Sequence, residues 1–164
     1  MSRGYRLAAG VAATLLLAAC AQTTEQRSAQ VWEGRLALSV PTQSAPIDGT
    51  QEQNYFAGFE LSGHAQSGQM RLMSPLGQTL AHLRWSPQGA QLQQGDVRRD
   101  FDSVQAMSEA LTGQALPLPT FFDWIEGRPG QAPGWEVDLS ERAQGKITAR
   151  RLWPPALLKV ILQP

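Results

Sequence analysis

The chain has 164 residues, of which 14 are basic and 14 acidic, so its formal charge at neutral pH is zero; 42% of its residues are hydrophobic and one is a cysteine. So even a balance excludes the strongly basic face on which nucleic-acid binding depends, and a lone cysteine excludes a disulfide within the chain. The length suits one domain with a real core and hardly two.

The chain opens with Arg3 and Arg6 and no acid, followed by an almost wholly apolar run from Leu7 to Ala18 and then Cys20. Residues 1–19 are therefore predicted to be a signal peptide. The run is too short to span a bilayer, which takes roughly 20 apolar residues, and nothing amphipathic marks it as a core helix. Leu17-Ala18-Ala19-Cys20 has the form of a bacterial lipoprotein processing site, which predicts lipidation of Cys20. Diacylglycerol on the thiol plus an acyl group on the new amino terminus would anchor the protein firmly, at about 0.8 kcal/mol per buried methylene. Ala21 stands where Asp favours inner-membrane retention in lipoproteins like those of enteric bacteria, so the expected site is the periplasmic face of the outer membrane. Cleavage would remove 19 of the 164 residues and leave 145, with 12 basic against 14 acidic side chains.

Residues 20–31 are polar and predict a lipidated tether, with the folded domain over 32–164. From Trp32 the period is two: Leu36, Leu38 and Val40 alternate with Arg35, Ala37 and Ser39, as in a strand with one buried face. Pro41 to Asn54 is too polar for core and predicts a long hairpin loop. Further strands are expected at Tyr55–Leu61, Gln69–Met73, Thr79–Trp85, Ala90–Gln93 and Val97–Phe101, broken by Gly, Pro, Asn and Ser in the manner of an antiparallel meander.

Two short helices come next. Asp102 is placed to cap Ser103–Thr112, with Gln105 completing a capping box, Val104, Met107 and Leu111 on one face, and Gly113 as the stop. Thr120 opens the second, in which Phe121, Trp124 and Ile125 share a face before Gly127 and Pro129 end it. Helices this short need the sheet to lie against. Strands then return at Trp135–Leu139, Ile147–Leu152 and Leu157–Leu162. The order strands, helices, strands predicts a curved antiparallel sheet partly closed around the helices.

Catalytic chemistry finds little support. His64 and His82 lie in different segments, with no cysteine or clustered carboxylate at metal-ligand spacing, so neither a metal nor a cofactor is expected. No G-x-S-x-G elbow occurs, and the chain is read as a non-enzyme. Phe121-Phe122-Asp123-Trp124-Ile125 concentrates apolar surface that could cover a hydrophobic cavity. In Ser74-Pro75-Leu76-Gly77-Gln78 the residue types match a type I turn, which sets Leu76 at the corner of a tight bend, where a polar residue is usual.

Together these residues resemble the LolB family of outer-membrane lipoprotein receptors. The resemblance is carried by Trp32 with Gly34-Arg35-Leu36, by Ser74-Pro75-Leu76-Gly77-Gln78, by Gly113 with Leu116-Pro117, by Trp124-Ile125-Glu126-Gly127-Arg128-Pro129, and by Gly134-Trp135, in family order. It implies a mainly β fold with α elements, an incomplete antiparallel β-barrel (half-barrel) with helices covering an apolar cavity. It also implies a monomer that accepts acylated lipoprotein cargo from the periplasmic carrier LolA and inserts it into outer-membrane phospholipid, with Pro75, Leu76 and Gly77 as a membrane-insertion loop. Strand parity nominates Leu36, Leu38, Phe59, Leu61, Met70, Leu72, Leu83 and Trp85 for the cavity wall, and Trp124 and Ile125 for the lid. The C-terminal strands, interrupted by Trp153-Pro154-Pro155, look trimmed for the family's strand number. The competing readings are a tethered lipid or hydrophobic-ligand binding lipoprotein and a structural envelope lipoprotein.

Overall fold

A computed structural model describes residues 30–41 and 52–164. The expected signal peptide, Cys20, the tether up to residue 29 and loop residues 42–51 lie outside the described residues.

Among the described residues, nine strands form one sheet: β1 (Val31–Pro41), β2 (Glu52–His64), β3 (Ser67–Met73), β4 (Thr79–Ser86), β5 (Gly89–Gln94), β6 (Val97–Phe101), β7 (Trp135–Asp138), β8 (Lys146–Arg151) and β9 (Ala156–Leu162). Every neighbouring pair is antiparallel. The spatial order β6-β5-β4-β3-β2-β1-β9-β8-β7 leaves the sheet open, with β6 and β7 at its edges. Two helices, α1 (Val104–Thr112) and α2 (Leu118–Ile125), connect those two edges in sequence. This is an incomplete barrel whose helical segment lies on the apolar face of the sheet.

The alternation read from the sequence becomes cross-strand register. Leu36 faces Ala57 and Val160, and Leu38 faces Tyr55 and Leu158. Phe59 pairs with Leu72 and Leu61 with Met70, and Met70 in turn faces Leu83, which faces Leu92. A ladder in which apolar residues meet apolar residues across β9, β1, β2, β3, β4 and β5 buries one face and fixes the register, since a slip of one residue would turn them all outward. Gly34 lies on that face of β1. A Cβ there would come within 2.4 Å of the Ile161 carbonyl oxygen and 2.9 Å of the Phe59 ring, so glycine is what lets β9 and that ring approach.

The strand limits differ from expectation at the first hairpin. Pro41 pairs with Glu52, and Gln53 and Asn54 also belong to β2, so polar residues expected in the loop extend the ladder. Backbone pairing does not require an apolar side chain. At the other end β1 begins at Val31, one residue before Trp32.

The helix starts differ as well. Ser103, extended at φ −151° and ψ 158°, is the cap of α1, and its Oγ accepts from the Ala106 amide at 3.1 Å. Asp102 is one residue too early for that bond, so the Asp102–Gln105 box does not form. Gly113, at φ 73°, donates to the Glu109 carbonyl and ends the helix. α2 begins at Leu118, not Thr120, and takes Pro119 into its first turn, where no amide donor is needed.

α1 packs on β5 and β6 through buried Val104 and Met107. α2 is buried more deeply: Phe121, Phe122, Trp124 and Ile125 are all core. Phe122 meets Trp32 and Trp85 edge-on at 5.6 and 6.0 Å, and Phe121 meets Phe59 at 5.8 Å. The Trp124 indole donates to the Gly130 carbonyl at 2.8 Å, and the Arg142 guanidinium donates to that of Ile125 at 2.7 Å. Such fastening makes α2 a fixed inner layer.

Candidate functional site

Between the sheet and the helices lies a cavity of about 410 Å3. β1 contributes Leu36 and Leu38, β3 Met70 and Leu72, and β4 Ala81 and Leu83, joined by Tyr55, Ala57 and Leu158. From the helical side come Leu111, Leu116, Leu118, Phe121 and Trp124. Leu80 and Gln94, at the ends of their strands, and Phe56, within β2, are exposed lining residues that form the rim. Among the described residues, no charged side chain lines the cavity.

Of the polar side chains that reach it, Asn54 accepts from Ser39 Oγ and Gln94 from the Arg99 guanidinium, while the hydroxyls of Ser108 and Thr112 are engaged by backbone. Ser108 Oγ donates to the Gln105 carbonyl and accepts from the Leu116 amide, both at 2.9 Å. Thr112 Oγ1 lies 2.9 Å from the Ser108 carbonyl oxygen and accepts from the Gln114 amide at 3.3 Å. These bonds fix the corner between α1 and α2. They also leave a wall that offers a ligand apolar contact and little hydrogen bonding, the chemistry of a site for hydrocarbon.

Arg151 anchors the same corner from the sheet. Register places it on the buried face with Ile147 and Ala149, and it is 9% exposed. Its guanidinium donates to the Ala115 carbonyl at 3.2 Å, to that of Pro154 at 2.8 Å, and to the Gln114 side-chain oxygen. It also stacks 5.1 Å from the Trp135 ring. Burial lowers its pKa from the ordinary arginine value, yet a guanidinium remains charged. Sequence reasoning missed Arg151, although its parity with Ile147 and Ala149 was there to read. It also missed Ser108, Thr112 and Tyr55, whose roles depend on tertiary placement.

The six nominees Leu36, Leu38, Met70, Leu72, Leu83 and Trp124 come together at the cavity. Phe59, Leu61, Trp85 and Ile125 are buried in the surrounding core and do not line it.

Leu76 stands apart, on the turn between β3 and β4. The Gly77 amide donates to the Ser74 carbonyl at 2.9 Å, the Ser74 amide to the Gln78 carbonyl at 2.8 Å, and the Gln78 amide to Ser74 Oγ at 3.2 Å. Pro75 restricts its own φ, and Gly77 takes φ 81°, which closes a three-residue hairpin loop. Leu76 is 89% exposed on this tied turn, so it does not fold back over its neighbours. Strand direction puts the turn at the end of the sheet where Phe56 and Leu80 rim the cavity.

Comparison with known proteins agrees with this geometry. The family model for outer membrane lipoprotein LolB matches residues 30–153. An outer-membrane lipoprotein LolB of Cupriavidus pinatubonensis is 30% identical over 151 residues, covering 90% of this chain and 72% of that protein. Those of Vibrio cholerae and Cupriavidus metallidurans are each 31% identical; the alignments cover 81% and 89% of this chain, and 68% and 72% of theirs. A half-barrel around an apolar cavity, with Leu76 on a tied turn beside its rim, thus accompanies sequence similarity over most of the chain: the protein belongs to the LolB family of outer-membrane lipoproteins.

Proposed function

We propose that this chain, anchored through Cys20, accepts lipoproteins from the periplasmic carrier LolA and inserts them into the outer membrane. The observation that carries the reading is the uncharged cavity beneath the helices, opening at the end of the sheet where Leu76 projects. Acyl chains would pass from one apolar cavity to another, because exposing each methylene to water costs about 0.8 kcal/mol. Tighter holding in the receiver than in the carrier gives the transfer its direction, and the bilayer is the final sink. No covalent step is needed.

Leu76 would enter the bilayer at the moment of release. Burial of one leucine contributes about 1.5–3 kcal/mol, enough to favour contact and too little to make it permanent.

The test separates the two stages. Purified Leu76→Glu protein should accept a lipoprotein from LolA as the wild type does and fail to deliver it to liposomes. Normal delivery by the mutant would remove Leu76 from the mechanism, and failure of the wild type to take cargo from LolA would overturn the receptor reading.

A further inference from the structure

Most of the large apolar side chains left in solvent gather toward one end of the sheet. Among the described residues eight are exposed: Val31 and Ile161 lie toward the opposite end, and the other six are Phe56, Leu76, Leu80, Val97, Leu152 and Trp153. Strand directions place five of these six at one end of the sheet, at the starts of β4 and β6, in the β3–β4 turn and in the turn between β8 and β9; Phe56, the fifth residue of β2, lies beside that end, since Gly58 pairs with Met73 at the end of β3. Two of these positions protrude furthest. Leu76 is one, and the pair Leu152 (70% exposed) and Trp153 (85% exposed) is the other.

We propose that the β8–β9 turn, Leu152-Trp153-Pro154-Pro155, is a second point of contact with the lipid bilayer, acting with Leu76 to set the protein down with its cavity mouth toward the membrane. This rests on the reading of the chain as a membrane-anchored inserter. The two turns are four strand spacings apart, which is about 20 Å along the sheet, and the cavity rim residues Phe56 and Leu80 lie toward the same end. One contact point leaves an anchored body free to rock; two fix its tilt.

The residue types favour a bilayer interface over a protein groove. Tryptophan has an apolar body and one polar N–H, which suits the boundary between headgroups and hydrocarbon, where it is enriched. Exposed Arg150 adds a cation within reach of headgroup phosphates. Nor is the turn a loose end, because the buried Arg151 guanidinium holds the Pro154 carbonyl at 2.8 Å. The same guanidinium grips Gln114 and Ala115 beside the cavity, so the turn and the helical corner are parts of one bonded unit.

Of the five tryptophans, Trp32, Trp85, Trp124 and Trp135 are buried or half-buried, which makes Trp153 readable by difference. The lipidated full chain is reconstituted into phosphatidylethanolamine–phosphatidylglycerol vesicles whose acyl chains are brominated. The emission that distinguishes wild type from Trp153→Phe should be quenched; an unquenched Trp153 component overturns the proposal. In a second arm, Leu152→Ser with Trp153→Ser should slow lipoprotein delivery to vesicles about tenfold, the loss expected for withdrawing one large apolar contact. Acceptance from LolA should be unchanged. Normal delivery, or loss of acceptance in its place, assigns the turn to something other than membrane contact. Quenching requires no cargo, so it decides the membrane contact even if the wild type proves unable to deliver.

Discussion

Gly34 has room for a hydrogen and nothing larger. With the Ile161 carbonyl 2.4 Å and the Phe59 ring 2.9 Å from where a Cβ would sit, Gly34→Ala must push β9 or the ring away. We expect a loss of about 2 kcal/mol, within the range for overpacking a core, seen as a lower urea midpoint at an unchanged slope. Arg151 presents the opposite situation, a side chain with several partners. Arg151→Met keeps the stem and strands the Gln114 side-chain oxygen and the carbonyls of Ala115 and Pro154, at about 2 kcal/mol. The same denaturation measurement checks it. His82 gives a pH signature. Burial first, then Arg84 and Arg71, lowers its pKa from the ordinary 6.5. The unfolded chain therefore binds the proton more readily. The stability His82 confers is complete above pH 6.5, falls as the pH drops through 6.5 and is gone below the lowered folded value. A pH series of unfolding midpoints should flatten over that window in His82→Gln.

The elements were largely legible because period two and the helical period are direct records of burial. Leu36-Leu38-Val40 and Trp135-Val137-Leu139 announce their strands, and Val104 and Met107 the inward face of α1. Ends were harder, since they depend on backbone bonds that many residue types satisfy. Asp102 and Ser103 are both good caps by composition, and only φ and ψ decide that Ser103 accepts the capping hydrogen bond. Ser103→Ala should cost about 1 kcal/mol, and hydrogen exchange should show the amides of the first turn of α1 opening more readily. Asp102→Ala should leave them unchanged. The cavity wall was half legible for a related reason. Parity assigns Phe59, Leu61, Trp85 and Leu36 to one face alike, but which of them the helices cover is settled by where α2 lies. Phe121 and Phe122 of α2 pack onto Phe59 and Trp85 and so take those two out of the wall.

For the molecule as a whole, the sheet and helices are arranged around a space, and filling it is the direct test of its use. Ala57 is half-buried and lines the cavity opposite Leu36. Ala57→Phe should leave the unfolding midpoint within a few degrees of wild type and reduce uptake of a fluorescent fatty acid severalfold, read by titration. The topology bears on how such a space accepts cargo. No hydrogen bonds join β6 to β7 among the described residues; those strands are connected only through the helical segment. A sealed barrel has to rupture a ladder before its girth can grow. Here the seam is already parted, so the trough can flex wider around an incoming chain with all its strand pairings intact.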